Sequence, residues 1–422
     1  MGMAQSGYLL FIETAATLLL LIYPTLMLVI KGGMNGVFLC TLLLAFAVLV
    51  VRPNGMKAVV WRREWEIYAL AMVSMAAAIL ISQSYHQSYA AHPHDAASRY
   101  WLAIPVFLLL LRLRPSVFAV LQFAFPVAAI IGLLLAKDMG GRTGISTLDV
   151  IHFGDFELTL GVLSLFCIDW FGNDRWPLRT LKILGFIAGL AASFASGSRG
   201  GWLAIPVFVA IFIYFKAAWR SPRAIAITAI AGTLAAGVLT ATLYYSPFHQ
   251  RMTALVTDVT AYDQGNSNTS TGIRWQLYKA AADVFSRHPI FGVGPEGFAL
   301  EMQPMMEAGK VTPDAAALGR GEVHNDILSK AAGMGVFGLL AMLAVYFVPF
   351  GLFWQATKSA YAQVRRAGVL GITFVSGFIV FGLTVECLNL TMATAFYSFT
   401  VAVLLAACYN IHHGEAAHHK SE

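Results

Sequence analysis

The sequence predicts an all-α polytopic membrane protein of about twelve transmembrane helices, with one large outside loop containing short helices, and three observations support this. Of 422 residues, 58% are hydrophobic and only 12% charged, against about 25% charged in a soluble domain. The mean hydropathy is +0.69. The apolar residues form long unbroken runs, not ten-residue alternating stretches, which excludes an outer-membrane barrel as well as an ordinary globular enzyme. Roughly 245 apolar residues, at about 20 per crossing, are enough for about twelve helices.

The runs fall at 8–30, 34–51, 67–83, 99–111, 115–136, 156–172, 181–197, 201–219, 223–245, 327–354, 367–386 and 391–411. The N-terminal stretch lacks a basic region ahead of its apolar core and leads directly into another run, so it reads as a first helix and not a cleaved signal. All four cysteines, Cys40, Cys167, Cys387 and Cys408, lie within apolar runs and suggest neither a disulfide framework nor a metal cluster. With the N-terminus in the cytoplasm, 16 of the 28 basic residues fall in inside loops and 5 in short outside loops. The other 7 sit in or just after one long outside segment, a class exempt from the positive-inside rule. The expected topology is N-in and C-in. The net charge of +6 then reflects cytoplasmic loops and a bilayer partner, not nucleic acid.

The expected division is spans one to nine over 1–245, an outside loop subdomain over 246–326, and spans ten to twelve with a cytoplasmic tail over 327–422. In the loop, Trp275, Tyr278, Ala282 and Phe285 recur at helical spacing and predict an amphipathic helix at the membrane surface, ended by His288-Pro289. A glycine-rich turn cluster follows at Gly292 to Gly297, then His324-Asn325-Asp326 at the mouth of the tenth run.

Several residues are candidates for chemistry. Arg199 lies in Ser196-Gly-Ser-Arg-Gly-Gly-Trp202, an open turn that can bring arginine and bare N–H groups to a phosphate, or else hold a snorkelling arginine. Arg142, in Gly140-Gly-Arg-Thr-Gly144, has the same two readings, and Arg274 reads first as an interfacial arginine facing headgroups. His324 precedes Asn325, a good helix cap, and Asp326, which suits a first turn. That placement, against the positive end of a helix, favours a neutral imidazole able to accept a proton; the plainer reading is a histidine anchoring a helix end.

Asp155-Phe-Glu157 offers an acidic pair for a divalent ion, but both acids also open the sixth run, where carboxylates suit a helix N-terminus. His86, His92, His94 and Asp95 are loosely spaced in a polar loop, and His412, His413, His418 and His419 form a frayed tail, so both groups read as solvated. Glu13 and Glu386 suggest either proton coupling or pairing within the bundle. No P-loop, HExxH or GxSxG pattern is present, so nucleotide hydrolysis, proteolysis and esterase chemistry lack support.

The Arg142 loop, Ser198-Arg199-Gly200, Arg274 in a helix running into His288-Pro-Ile-Phe-Gly-Val-Gly-Pro-Glu-Gly-Phe298, and His324-Asn325 followed by Gly333-Met-Gly-Val-Phe-Gly338 together resemble the O-antigen ligase and polymerase superfamily. The order of the motifs, the large loop and the twelve-span layout extend the resemblance over most of the chain. It implies a GT-C-like glycosyltransferase in a Gram-negative inner membrane. Such an enzyme transfers a glycan from undecaprenyl pyrophosphate to lipid A–core oligosaccharide on the periplasmic face, without a cofactor and, for the ligases, without metal. His324 falls on the family's loop histidine, Arg199 and Arg274 on its essential arginines, and Arg142 on a looser position. Arg320, Glu322 and Asn325 carry over as further loop candidates. The implied mechanism is a single inverting displacement with His324 as general base and arginines holding the pyrophosphate. One dominant late loop, and a chain ending soon after the twelfth run, resemble ligases more than polymerases or protein-glycosylating relatives. The alternatives are an O-antigen polymerase or related lipid-linked oligosaccharide transferase, and, in a different class, a flippase or transporter of lipid-linked glycans.

Overall fold

The computed structural model describes residues 2–51, 56, 61–139, 142–217 and 267–418. The expected ninth span, 223–245, and the stretch 246–266 of the expected loop lie outside the described residues. The bundle opens with α1 (Gly2–Val29), α2 (Gly33–Val51), α3 (Arg63–His86) and α4 (His92–Leu110). A 3-10 turn at Pro115–Val120 leads into α5 (Leu121–Leu135), and α6 (Val150–Phe166) and α7 (Trp176–Ser196) follow. After a single turn, α8 (Arg199–Trp202), comes α9 (Ala204–Ala217). Three helices, α10 (Ser270–Arg287), α11 (Phe298–Glu307) and α12 (Pro313–Gly319), precede the closing α13 (Asp326–Ala356), α14 (Ala362–Phe381) and α15 (Thr391–His418). The only sheet among the described residues pairs Lys137–Asp138 with Thr143–Gly144, antiparallel.

Helices therefore stand at every apolar run within the described residues, and eight stretches are long and apolar enough to cross a membrane: Gly7–Val29, α2, α3, Pro115–Leu135, α7, α13, α14 and Thr391–Asn410. Three shorter or more polar helices stand at three further expected spans, and the remaining one, 223–245, lies outside the described residues. α4 opens on the polar run His92-Pro-His-Asp, α6 has 17 residues and carries two acids, and α8 with α9 forms a short apolar stretch.

Small residues let these helices approach closely, as expected where apolar lipid gives no hydrophobic drive for packing. A Cβ on Gly189 of α7 would lie 2.3 Å from the Glu157 carbonyl of α6, and one on Gly185 would lie 2.5 Å from Pro126 of α5. A separate apolar cluster forms where Leu277, Ala281 and Val284 of α10 meet Met302 and Met305 of α11 and Ala315 and Ala316 of α12. This stripe differs from the expected one: Trp275 is 49% exposed and Ala282 is exposed, because the core-facing positions start from Ile273 and Leu277. Helix α10 ends at Arg287, with His288 as its C-cap, as His288-Pro289 predicts.

The glycine-rich motifs dock backbone to backbone. Val293 N–H donates to the Ala332 carbonyl at 3.1 Å, and Val336 N–H to the Pro289 carbonyl at 2.8 Å. At Gly292 (φ +68°) a Cβ would lie 2.3 Å from Gly333 C. Gly335 (φ +60°) breaks the regular helix of α13, and a Cβ there would lie 2.3 Å from the Ile290 carbonyl oxygen. Only glycine satisfies both the left-handed backbone and the contact.

Candidate active site

The His324 turn is held on several sides. Asn325 caps α13, its side chain accepting from Leu328 N–H at 2.9 Å, as its sequence position predicts. It also donates to the Leu383 carbonyl at 3.3 Å. The Asp326 N–H donates to the Gly382 carbonyl at 2.7 Å. The Asp326 carboxylate accepts from the Tyr346 hydroxyl at 2.7 Å and from Leu388 N–H at 3.1 Å. Glu386 accepts from Val323 N–H and from the Ser329 hydroxyl, the latter at 2.7 Å. Of its two sequence readings, pairing within the bundle is what this carboxylate does. The segment linking α14 and α15 is thus the post against which the turn is built.

His324 itself has φ +61°, a conformation costing a non-glycine residue about 1–3 kcal/mol and kept only where its surroundings enforce it. Tyr278 of α10 contributes, donating to the His324 carbonyl at 3.1 Å and the Leu383 carbonyl at 2.7 Å. The imidazole is buried, at 5% exposure. Burial, reinforced by the positive charge of Arg274, lowers its pKa to about 4. The ring is therefore neutral at pH 7. Glu322 Oε1 lies 3.0 Å from Nδ1 but out of hydrogen-bond alignment, so Nδ1 has no hydrogen-bond partner among the described residues. The Glu322 carboxyl is itself raised above the usual range, first by burial and then by the Glu386 carboxylate.

The Arg199 turn reaches the same post. A Cβ on Gly200 would lie 2.5 Å from Thr384 Oγ1, so the turn rests on the segment that also holds His324. Ser198 donates to Asp155 of α6 at 2.8 Å, and Arg142 Nε donates to the Ser196 carbonyl at 2.8 Å. The structure therefore gathers Arg142, Arg199, Arg274, Glu322, His324 and Asn325 at one end of the bundle. Arg320 is on the rim: it donates to Gln303 at 3.0 Å and lines, together with Glu322, Glu386, His92, Glu296 and Lys330, a cavity of about 310 Å³.

Two sequence readings are corrected. Asp155 and Glu157 do not open α6; Asp149 does, accepting from Ile151 N–H at 2.9 Å and His152 N–H at 3.2 Å. The two acids are fully buried, and two positions apart on a helix they face different neighbours. Asp155 meets Ser198, whereas the Glu157 carboxyl packs against Gly132 of α5, so they are not an acidic pair. The loop histidines stay near the surface, His86 and His92 exposed, and have polar partners: His86 Nε2 pairs with the Gly292 carbonyl at 3.1 Å, His92 with Glu296 at 3.0 Å and His94 with Gln83 at 3.0 Å. The backbone stays helical to His418, so His412, His413 and His418 extend α15 and do not form a frayed tail, while His419 lies outside the described residues. Glu13 pairs with Arg114 at 3.3 Å. Sequence reasoning missed His152, which sits in the first turn of α6 on Asp149; the signal was Thr147-Leu-Asp149 ahead of the run, an N-cap three residues before the histidine.

Fold and site define a polytopic helical membrane protein with arginines, a neutral histidine and carboxylates gathered at one end of the bundle. Residues 184–343, from α7 through the His324 turn into α13, match the family model described as O-antigen ligase. The chain is 25% identical over 293 residues to an uncharacterized protein of Haemophilus influenzae, covering 68% of this chain and 72% of that one. It is 24% identical over 208 residues to the O-antigen ligase of Escherichia coli, covering 48% of this chain and 46%, about half, of that one. The chain is thus similar, over this segment, to the O-antigen ligase superfamily. The matched segment contains Arg199, Arg274 and His324 but not Arg142.

Proposed function

We propose that the protein is an O-antigen ligase of a Gram-negative inner membrane, with its N- and C-termini in the cytoplasm and the His324 end of the bundle facing the periplasm. It transfers a polysaccharide from undecaprenyl pyrophosphate to lipid A–core oligosaccharide, without metal and with inversion at the anomeric carbon. The observation that carries this reading is a buried, neutral His324 on a left-handed turn beside Arg274, anchored to the same Gly382–Glu386 segment as the Arg199 turn.

The chemistry follows from those groups. Breaking the sugar–pyrophosphate bond loads negative charge onto the leaving pyrophosphate. Arg199 and Arg274, always charged and able to donate in a bidentate fork, stabilise that charge as it develops. Arg142 supports the same end from the Ser196 carbonyl. As the acceptor oxygen attacks C1, its proton passes to the neutral imidazole of His324, a contribution typically of about 10²–10⁴-fold. The left-handed turn fixes the ring in place, so little ordering remains to be done when substrates bind.

The test is purified protein in proteoliposomes containing EDTA, given undecaprenyl-pyrophosphate-linked polysaccharide and either lipid A–core or a second lipid-linked glycan. Glycan joined to lipid A–core supports the ligase. Elongation of the second lipid-linked glycan makes the protein a polymerase, and movement of intact donor across the bilayer with no product makes it a transporter. Loss of transfer in EDTA would contradict the metal-free mechanism.

A further inference from the structure

Next to the arginines lies a cluster of hydrogen-bond acceptors that the transfer mechanism leaves unused. His152 Nδ1 pairs with Asp149 Oδ2 at 2.5 Å. Asp149 is immobilised in turn, because its other oxygen caps α6 by accepting from Ile151 and His152 N–H. An ionised Asp149 accepts only, so Nδ1 carries the proton; the pairing favours the imidazolium, and in the neutral ring Nε2 presents its lone pair. His152 is 5% exposed, and its Nε2 has no hydrogen-bond partner among the described residues. Three positions along, on the same face of the helix, Asp155 uses Oδ1 to accept from Ser198 at 2.8 Å, and its Oδ2 is also without a hydrogen-bond partner among the described residues. His152 lies within the field of both Asp155 and Glu322.

Buried acceptors in this state call for a ligand with O–H or N–H groups. An anion is repelled by Asp149, so the pyrophosphate belongs with the arginines. These acids do not converge as metal ligands do: among the described residues no group of three or more His, Cys, Asp or Glu is placed to hold a metal ion. Sugar hydroxyls fit, being neutral donors supplied in numbers by a glycan. We propose that His152, fixed by Asp149 and assisted by Asp155, is a hydroxyl-binding subsite that orients a sugar of the glycan substrates beside His324. The site then has two halves, one cationic for the pyrophosphate and one that accepts from hydroxyls. This rests on the glycan-transfer reading above.

D149N is the decisive variant. Asparagine caps a helix as well as aspartate does, but with Oδ1 retained at the cap its amide N–H faces His152 Nδ1. The histidine must then shift its proton to Nε2, turning the acceptor into a donor. In proteoliposomes supplied with undecaprenyl-pyrophosphate-linked polysaccharide and lipid A–core, D149N and H152L are expected to lose at least about tenfold in kcat/KM. H152Q, whose amide oxygen can accept the same hydroxyl, is expected to stay within about threefold of wild type, and all three should keep the wild-type melting temperature. D149N and H152L transferring at the wild-type rate, or H152Q as impaired as H152L, would overturn the inference. Stabilisation of the protein by lipid A–core or by the lipid-linked donor, read as a thermal shift, separates the two proposals. If wild type is stabilised but transfers nothing, and H152L loses that stabilisation, the subsite stands and the transfer reading fails.

Discussion

At the residue scale, His324 has a specific pH signature. Its pKa falls from 6.5 to about 4 through burial and Arg274, so between those values the unfolded chain binds a proton that the native turn does not. The stabilising contribution of the neutral ring is complete above pH 6.5 and declines as pH falls through that window. If the neutral ring accepts the acceptor's proton, the acid limb of kcat/KM lies near pH 4. A limb near 6.5 would place His324 in water-like surroundings. Arg274 has a different signature: R274K keeps the charge but loses the fork, and transfer is expected to fall roughly 10- to 100-fold. Wild-type rates for R274K would return Arg274 to its interfacial reading. The placement of His324 at a helix start was legible because the cap and acid that follow it are local signals. His152 was not, because the apolar run was read from residue 156 and hid the cap that positions the ring.

Elements show where periodicity stops being informative. Apolar runs marked each long apolar helix among the described residues, because a bilayer demands them whatever the tertiary contacts. They did not show the break in α13, where Gly335 is apolar enough to pass for ordinary helix and only its contact with Ile290 explains its conformation. Nor did they show the post between α14 and α15, whose partners lie about 60 residues away in sequence. The break makes a direct prediction. G335A puts a Cβ against the Ile290 backbone at a left-handed position, so the contact between the 289–293 turn and α13 should loosen. The expected results are a lower melting temperature and faster proteolysis after Arg287; unchanged values would show that the motif's glycines are not packing constraints. E386Q should weaken the hold on Val323 and Ser329 and cut transfer without reducing folded protein. E386Q at the wild-type rate would mean that the post does not set the turn.

Across the whole molecule, charge predicts the topology and the bundle brings the candidate residues together. Basic residues counted along the sequence predict which end faces the cytoplasm, while the contacts of α6, α7, α10 and α13 bring residues from 142 to 386 to the other end. A cysteine placed at Asp314 in a cysteine-free background should react with an impermeant maleimide from the periplasmic side only, and labelling from the cytoplasmic side would reverse the proposed topology. The most direct measurement compares wild type with H324A in proteoliposomes holding undecaprenyl-pyrophosphate-linked polysaccharide and lipid A–core. Polysaccharide-bearing lipid A–core forming with wild type and not with H324A, although both retain the donor, is the expected result. Equal product from the two proteins, or none from wild type, would contradict a glycan transferase built on His324.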